Sequence, residues 1–179
     1  VFDNKKRGLG GAINFGIEKS TGNYICIMMA DLSDDFEDLK NYYAKIKENN
    51  LDAVFGSRFS KESKVVDYPI KKLILNRIFN FIVRILFLNK YNDYTNAFKI
   101  YNSKVLRSML PFVSESFNIF LEIPLKIISR KYSYTIVPIN WYNRKIGQAK
   151  FNIKELRSKY LFTLIYCFIE KVLLNKKIK

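Results

Sequence analysis

Residues 24–37 read YICIMMADLSDDFE, and the fold turns on how this stretch is read. Tyr24 to Ala30 is a seven-residue run without a charge, the pattern of a strand buried on both faces of a parallel sheet. The run stops at Asp31, and Asp34 and Asp35 follow at once. Asp35, with Asp38 three residues on, has the form of a helix N-cap and first turn, which predicts a helix to about Asn49. A carboxylate is thereby presented at the C-terminal tip of a buried strand, the edge of an open α/β sheet where ligands bind. A hard oxygen there suits a divalent cation, because Mg²⁺ needs only about one or two protein carboxylates when substrate phosphates supply other ligands. A plain strand-to-helix turn uses the same residue types.

The 179 residues suffice for one domain with a substantial core, and 49% hydrophobic with 16% aromatic content argues against disorder. Lys plus Arg number 31 against 16 Asp plus Glu, a net charge of +15, so an anionic partner is expected: phosphate groups, acidic lipid or nucleic acid. From Arg144 onward ten basic residues face two acids, which concentrates that expectation in the last third. The absence of histidine excludes His-dependent triads and His-ligated zinc or iron, leaving a carboxylate or the substrate itself as any general base. Cys26 and Cys167 lie in apolar runs and read as small buried hydrophobes, consistent with a reducing compartment. No signal-peptide pattern is visible, and the longest apolar run, Tyr160 to Ile169, is about half of the roughly 18 to 20 residues of a spanning helix.

Around this centre the chain alternates helices and strands. Gly8, Gly10 and Gly11 open a helix of about Ala12 to Lys19, where glycines permit close approach to a phosphate and Arg7 adds charge; helix packing explains them equally well. Asp52 to Phe55 is a short strand ending at Gly56, Ser57 and Arg58, and this arginine either grips a phosphate or braces the carboxylates. Lys61 to Tyr68 reads as a mobile loop closing at Pro69.

Pro69 to Leu88 is helical, with Lys72, Asn76, Arg77, Asn80 and Arg84 in one sector of an otherwise apolar surface. It packs in a crowded core or lies in a membrane interface with its basic side toward headgroups. Asp93, Thr95 and Asn96 precede a strand over Ala97 to Tyr101, with Asp93 as a base, an acceptor-orienting group or a turn-stabilising residue. Ser103 to Leu110 and Ser116 to Lys131 are helices, the second holding Glu122 among apolar residues, a setting for a cation partner or for proton transfer. Pro138 makes Tyr134 to Trp141 an edge strand. Arg144 to Lys150 is a basic, glycine-containing loop, and Asn152 to Lys177 is a helix with an apolar centre and Lys-rich ends, the pattern of a membrane-lying segment.

In order and spacing, the blocks NKKRGLGGAINFGIEKSTGNYICIMMADLSDD, DAVFGSRF, NDYTNAFKIY, FLEIPLK and WYNRKIGQAK resemble the family-2 glycosyltransferases of the GT-A fold. Within them the branch of dolichol-phosphate and polyprenyl-phosphate sugar synthases is the most similar. The resemblance covers nearly all of the chain and implies an α/β, Rossmann-type mixed sheet flanked by helices. It also implies that the family's first strand, helix and strand precede Val1, so residues 1–151 are a partial, N-terminally truncated catalytic domain and residues 152–179 a basic amphipathic membrane-proximal helix.

The activity implied is inverting transfer of a sugar from a nucleotide sugar to a lipid phosphate or glycan acceptor, with Mg²⁺ or Mn²⁺ on the diphosphate. The family's acidic metal motif falls on Met29, Ala30 and Asp31, so Asp31 is the matching metal ligand. A thioether is a poor ligand for these ions, so Ser33, Asp34 or waters complete the shell. Arg7, Gly8, Gly10, Asp31 and Arg58 are implied on the donor side. Asp31, Arg58 and Asp93 are implied as catalytic, and Arg144 and Lys150 as the pair seating the acceptor phosphate. The enzyme expected is a peripheral one on the cytoplasmic face of a membrane, with no nucleic-acid partner. A function of another class, a non-catalytic basic module docking on anionic membrane or nucleic acid, predicts basic residues over one surface and no need for Asp31.

Overall fold

The computed structural model describes residues 8–143 and 153–176. A four-stranded mixed sheet is formed by β1 (Tyr24–Ile27), β2 (Ala53–Ser57), β4 (Lys99–Asn102) and β5 (Tyr134–Pro138) in the order β1-β4-β2-β5. β4 runs antiparallel to both β1 and β2, while β2 and β5 are parallel. The strand read as parallel is therefore corrected: β1 is antiparallel to its partner β4, and it is four residues long. Both of its faces are nonetheless covered, Ile25 and Ile27 by one core and Tyr24 and Cys26 by the other, which is why the run lacks charge. β5 lies at the opposite edge, where the missing N–H of Pro138 does no harm.

One face of the sheet carries α2 (Phe36–Glu48) over a core of Tyr42, Ile46, Val54, Phe98 and Ile100. Asp35 caps this helix as the sequence requires, its carboxylate accepting from the Glu37 N–H. Gly56 leaves room for the Tyr42 hydroxyl, which would sit 1.8 Å from a Cβ there. The other face carries α1 (Gly8–Lys19), α3 (Ile70–Phe87), α4 (Ser103–Ser108), α5 (Ile119–Ser129) and α6 (Ile153–Lys176) around the larger core.

Residues 61–68 are tied down, in contrast to the loop expected there. Within them β3 (Val65–Val66) pairs with β6 (Trp141–Tyr142) in a second, parallel sheet. α6 packs on α5, with Arg130 Nε 2.7 Å from a Glu170 carboxylate oxygen and the buried Thr163 accepting from Asn118. It is thus a wall of this domain as well as a basic-ended helix. Among the described residues no helix is long and apolar enough to cross a membrane.

α3 is not enclosed in a crowded core, and its polar sector divides: the amides turn inward, while Lys72, Arg77 and Arg84 are exposed. Asn80 is buried and Asn76 half-buried, while Ile74, Ile78, Phe81, Ile82 and Ile85 are exposed. The amides face inward because partners wait there: Asn76 donates to Thr95 Oγ1 and to the Tyr68 hydroxyl, and Asn80 Oδ1 accepts the Tyr94 N–H.

Candidate functional site

β1 and β2 end side by side beyond β4 and deliver Asp31 and Arg58 to one cavity of about 480 Å³. The Asp31 carboxylate closes a local turn, its Oδ1 accepting from the Ser33 hydroxyl at 2.6 Å and the Ser33 N–H at 3.2 Å. Asp34 is buried beside it, with Oδ2 3.5 Å from the Met29 nitrogen. Burial first, and then the Asp31 charge, push the Asp34 carboxyl up to about 6 against the opposing pull of the Met29 N–H, Arg58 and Lys99. Two carboxylates and a hydroxyl therefore line the cavity, with Met29 beside them in the lining.

Arg58 is held from behind. Its Nε and Nη2 donate to Asp93 Oδ2 and Oδ1 at 2.8 and 2.7 Å, and its backbone N–H adds a third bond to Oδ2 at 2.9 Å. Burial opposes the guanidinium charge, but the Asp93 carboxylate outweighs it and the pKa rises. The rings of Phe59, Tyr68 and Trp141 lie 5.5 to 5.9 Å from the guanidinium carbon. Arg58 pairs with a carboxylate, Asp93, other than the acids after β1 that it was expected to brace, and it also lines the cavity with Asp31 and Asp34.

Asp93 itself is 0% exposed, both its oxygens accept from Arg58, and it is not among the residues that line the cavity, an arrangement closer to the orienting alternative than to a base. Glu122 is likewise paired. Its carboxylate lies 3.1 Å from Lys126 Nζ and accepts the Val113 and Ser114 N–H groups, which favours the cation-partner alternative.

The glycines are in a different place. Gly10 donates to the Glu115 carbonyl at 3.0 Å, and a Cβ on it would lie 1.8 Å from the Ser114 oxygen. Gly8 sits against Glu115 with φ +83°, so both serve close chain packing and neither lines the cavity with Asp31 and Arg58. Arg7, Arg144 and Lys150 lie outside the described residues.

Two lining residues, Tyr68 and Trp141, and one buried neighbour of the site, Lys99, escaped sequence reasoning. Tyr68 and Trp141 meet at 4.9 Å between ring centroids, brought together by β3 and β6 pairing. Lys99, 1% exposed, sits in β4 between the strands that carry Asp31 and Arg58. Burial lowers its amine to about 7, Asp93 resisting and Arg58 adding to the effect. A lysine inside an otherwise apolar strand, AFKIY, was the available signal.

The same cavity is also lined by Leu75 and Phe79 of α3, Phe120 of α5, and Leu161 and Leu164 of α6. The outer surfaces of α3 and α6 continue this apolar character, with Phe81, Ile85, Phe162 and Ile169 exposed. One cavity is thus lined both by charged and polar groups and by aliphatic and aromatic groups, a mixture that suits a ligand with an anionic part and a hydrocarbon part.

Residues 1–110 match the family model described as glycosyl transferase family 2. A dolichyl-phosphate beta-glucosyltransferase of Dictyostelium discoideum is 28% identical over 178 residues, covering 88% of this chain and 53% of the relative. A dolichol-phosphate mannosyltransferase of Pyrococcus furiosus is 26% identical over 155 residues, covering 85% and 43%. The chain spans about half the length of these curated relatives. Among solved structures, glucosyl-3-phosphoglycerate synthase from Mycobacterium tuberculosis in complex with Mn²⁺, UDP and phosphoglyceric acid is similar with a TM-score of 0.65 at 12% identity, over 91% of this chain and 55% of that one. That likeness is one of fold, the GT-A arrangement of a mixed sheet flanked by helices.

Proposed function

The chain belongs to glycosyl transferase family 2, and from that premise we propose that it moves a sugar from a nucleotide-sugar donor to a lipid phosphate at a membrane surface, with inversion at the anomeric carbon. The observation that carries this reading is a single cavity lined by Asp31, Asp34 and Arg58 together with apolar side chains of α3 and α6. The acceptors named for the Dictyostelium and Pyrococcus relatives are of the same chemical type, a phosphate on a long hydrocarbon.

The chemistry follows from what the chain lacks. With no histidine in the sequence and Asp93 committed to Arg58, a nucleophile that needs no protein base fits the site best. A phosphate monoester, with its second pKa near about 6, is already anionic at neutral pH. Catalysis then rests on alignment and on charge neutralisation. Arg58, fixed by Asp93 and flanked by three rings, neutralises negative oxygen at the cavity without reorganising. Arg144 and Lys150, from the basic loop, are assigned to the acceptor phosphate.

A divalent ion fits the donor set in a limited way. Among the described residues no group of three or more His, Cys, Asp or Glu converges. Asp31 and Asp34 share the cavity, a number of carboxylates that suffices for Mg²⁺ or Mn²⁺ where a diphosphate supplies the remaining oxygens. Bound there, the ion would supply neutralisation of the departing diphosphate. Ser33, hydrogen-bonded to Asp31, orients that carboxylate.

The exposed apolar surfaces of α3 and α6 favour a peripheral seat on the membrane, where the hydrocarbon of the acceptor would lie. α6 then contributes both cavity-lining residues and a membrane-facing surface, on a cytoplasmic leaflet whose anionic lipids match the +15 charge. The test is sugar transfer by the full-length protein from UDP-glucose, and from other nucleotide sugars in turn, to dolichyl phosphate in detergent. Asp31→Asn is expected to lower the rate about a hundredfold or more while vesicle binding persists. An unchanged rate removes Asp31 from the mechanism.

A further inference from the structure

Lys99 is a buried charge that the proposed reaction does not use. It lies at the register position where β4 meets both neighbours, opposite Ile27 of β1 and Phe55 of β2, directly beneath the strand ends that lead to Asp31 and Arg58. Its Nζ donates to the carbonyl of Tyr94 at 3.2 Å and to the carbonyl of Asn96. Both acceptors belong to the 93–97 turn, which carries Asp93 at its start and contributes Thr95, Asn96 and Ala97 to the cavity. The ring of Tyr91, also on the approach to this turn, is 5.7 Å from the ammonium. Nothing apolar could replace these contacts, since two inward-pointing carbonyls would be left without a donor.

The charged groups around Lys99 come from three elements. Asp34 follows β1, Arg58 follows β2, and Asp93 precedes β4, so two acids and two bases make up one buried cluster. Asp93 has only one set of oxygens, and Arg58 takes it from three directions. Lys99 therefore acts on the carbonyls of the turn, where it can orient Asp93 without competing for it.

We propose that Lys99 is a positioning residue of the site: by tying the Tyr94 and Asn96 carbonyls it holds the 93–97 turn in the geometry in which Asp93 clamps Arg58 at the cavity. The inference rests on the glycosyl-transfer reading only for its kinetic consequence. The clamp itself is a property of the fold.

The experiment separates the two. In the full-length protein the Arg58 Nε–H, identified by its loss in Arg58→Lys, is followed by nitrogen-15 NMR, and transfer from UDP-glucose to dolichyl phosphate is measured in parallel. Lys99→Met is expected to cut the exchange protection of the Arg58 Nε–H about tenfold or more and to lower kcat by a similar factor, with KM for UDP-glucose within about twofold. Lys99→Arg, which keeps the charge and the donors, is expected to restore protection. Unchanged Arg58 protection in Lys99→Met overturns the proposal.

Should Lys99→Met fail to fold, the wild type decides. At pH 6 the Lys99 ammonium is expected to give a slowly exchanging nitrogen-15 signal, and its absence overturns the proposal. If no nucleotide sugar supports transfer by the wild type, the functional reading falls while the Arg58 and Lys99 signals still judge the clamp.

Discussion

α3 and α5 are both rich in aliphatic and aromatic residues interrupted by a few polar ones, yet the fold uses them in opposite ways. α5 is buried almost all round, and its Glu122 and Lys126 go inside together, neutralising one another at 3.1 Å. α3 buries Asn80, Val83 and Phe87 and leaves Ile74, Ile78, Phe81 and Ile85 outside. In α5 the Glu122 and Lys126 pair, and in α3 the amides of Asn76 and Asn80, turn inward because donors and acceptors meet them there, while Lys71, Lys72, Arg77 and Arg84 of α3 are exposed. What differs is the far side, which in α5 is covered by α6 and in α3 is left as an apolar surface. An amide on a helix thus marks where a partner is, while the cations of α3 still mark where the water is.

The largest test of this contrast is in α5. Glu122→Ala leaves the Lys126 ammonium buried without its partner and frees the Val113 and Ser114 N–H groups, and should cost about 3 to 5 kcal/mol in chemical denaturation. A loss under about 1 kcal/mol would break the account of α5 as a neutralised interior helix. On the inner side of α3, Asn80→Leu orphans the Tyr94 N–H and should cost about 1 to 3 kcal/mol, although leucine is the better helix former. A stabilised protein would mean that the amide is dispensable there.

The smallest effect on stability is expected on the outer side of α3. Ile78→Ser with Phe81→Ser should shift the unfolding free energy by no more than about 1 kcal/mol in total, since both are exposed already. Binding to phosphatidylserine-containing vesicles should fall in the same variant. Retained vesicle binding would separate this surface from the membrane.

Much of the site was legible because its signals are local. The charge-free run that stops at Asp31, the Asp35 cap and the strand ending in Gly56, Ser57 and Arg58 are each read within a few residues, and the fold keeps all of them. Pro138 marked an edge strand because a missing N–H is a property of the residue itself. Lys99 was overlooked because its partners, the carbonyls of Tyr94 and Asn96, are backbone groups that leave no mark in the side-chain pattern. The pairing of residues 65–66 with 141–142, which closes Tyr68 on Trp141, joins segments too far apart for any window to connect.

Taken alone, the sequence determined the order of strands and helices, the caps and breaks at their ends, the excess of positive charge and the acid and arginine that arrive at strand tips. These follow from short-range chemistry: chain stereochemistry, side-chain capping and the covalent identity of each residue. The tertiary structure decided that β1 lies antiparallel to β4, that Asp93 pairs with Arg58, and that the amides of α3 look inward. Periodicity reports which residues share a face. Which face is buried depends on partners such as Arg58 with Asp93 or Asn118 with Thr163, and only folding brings those together.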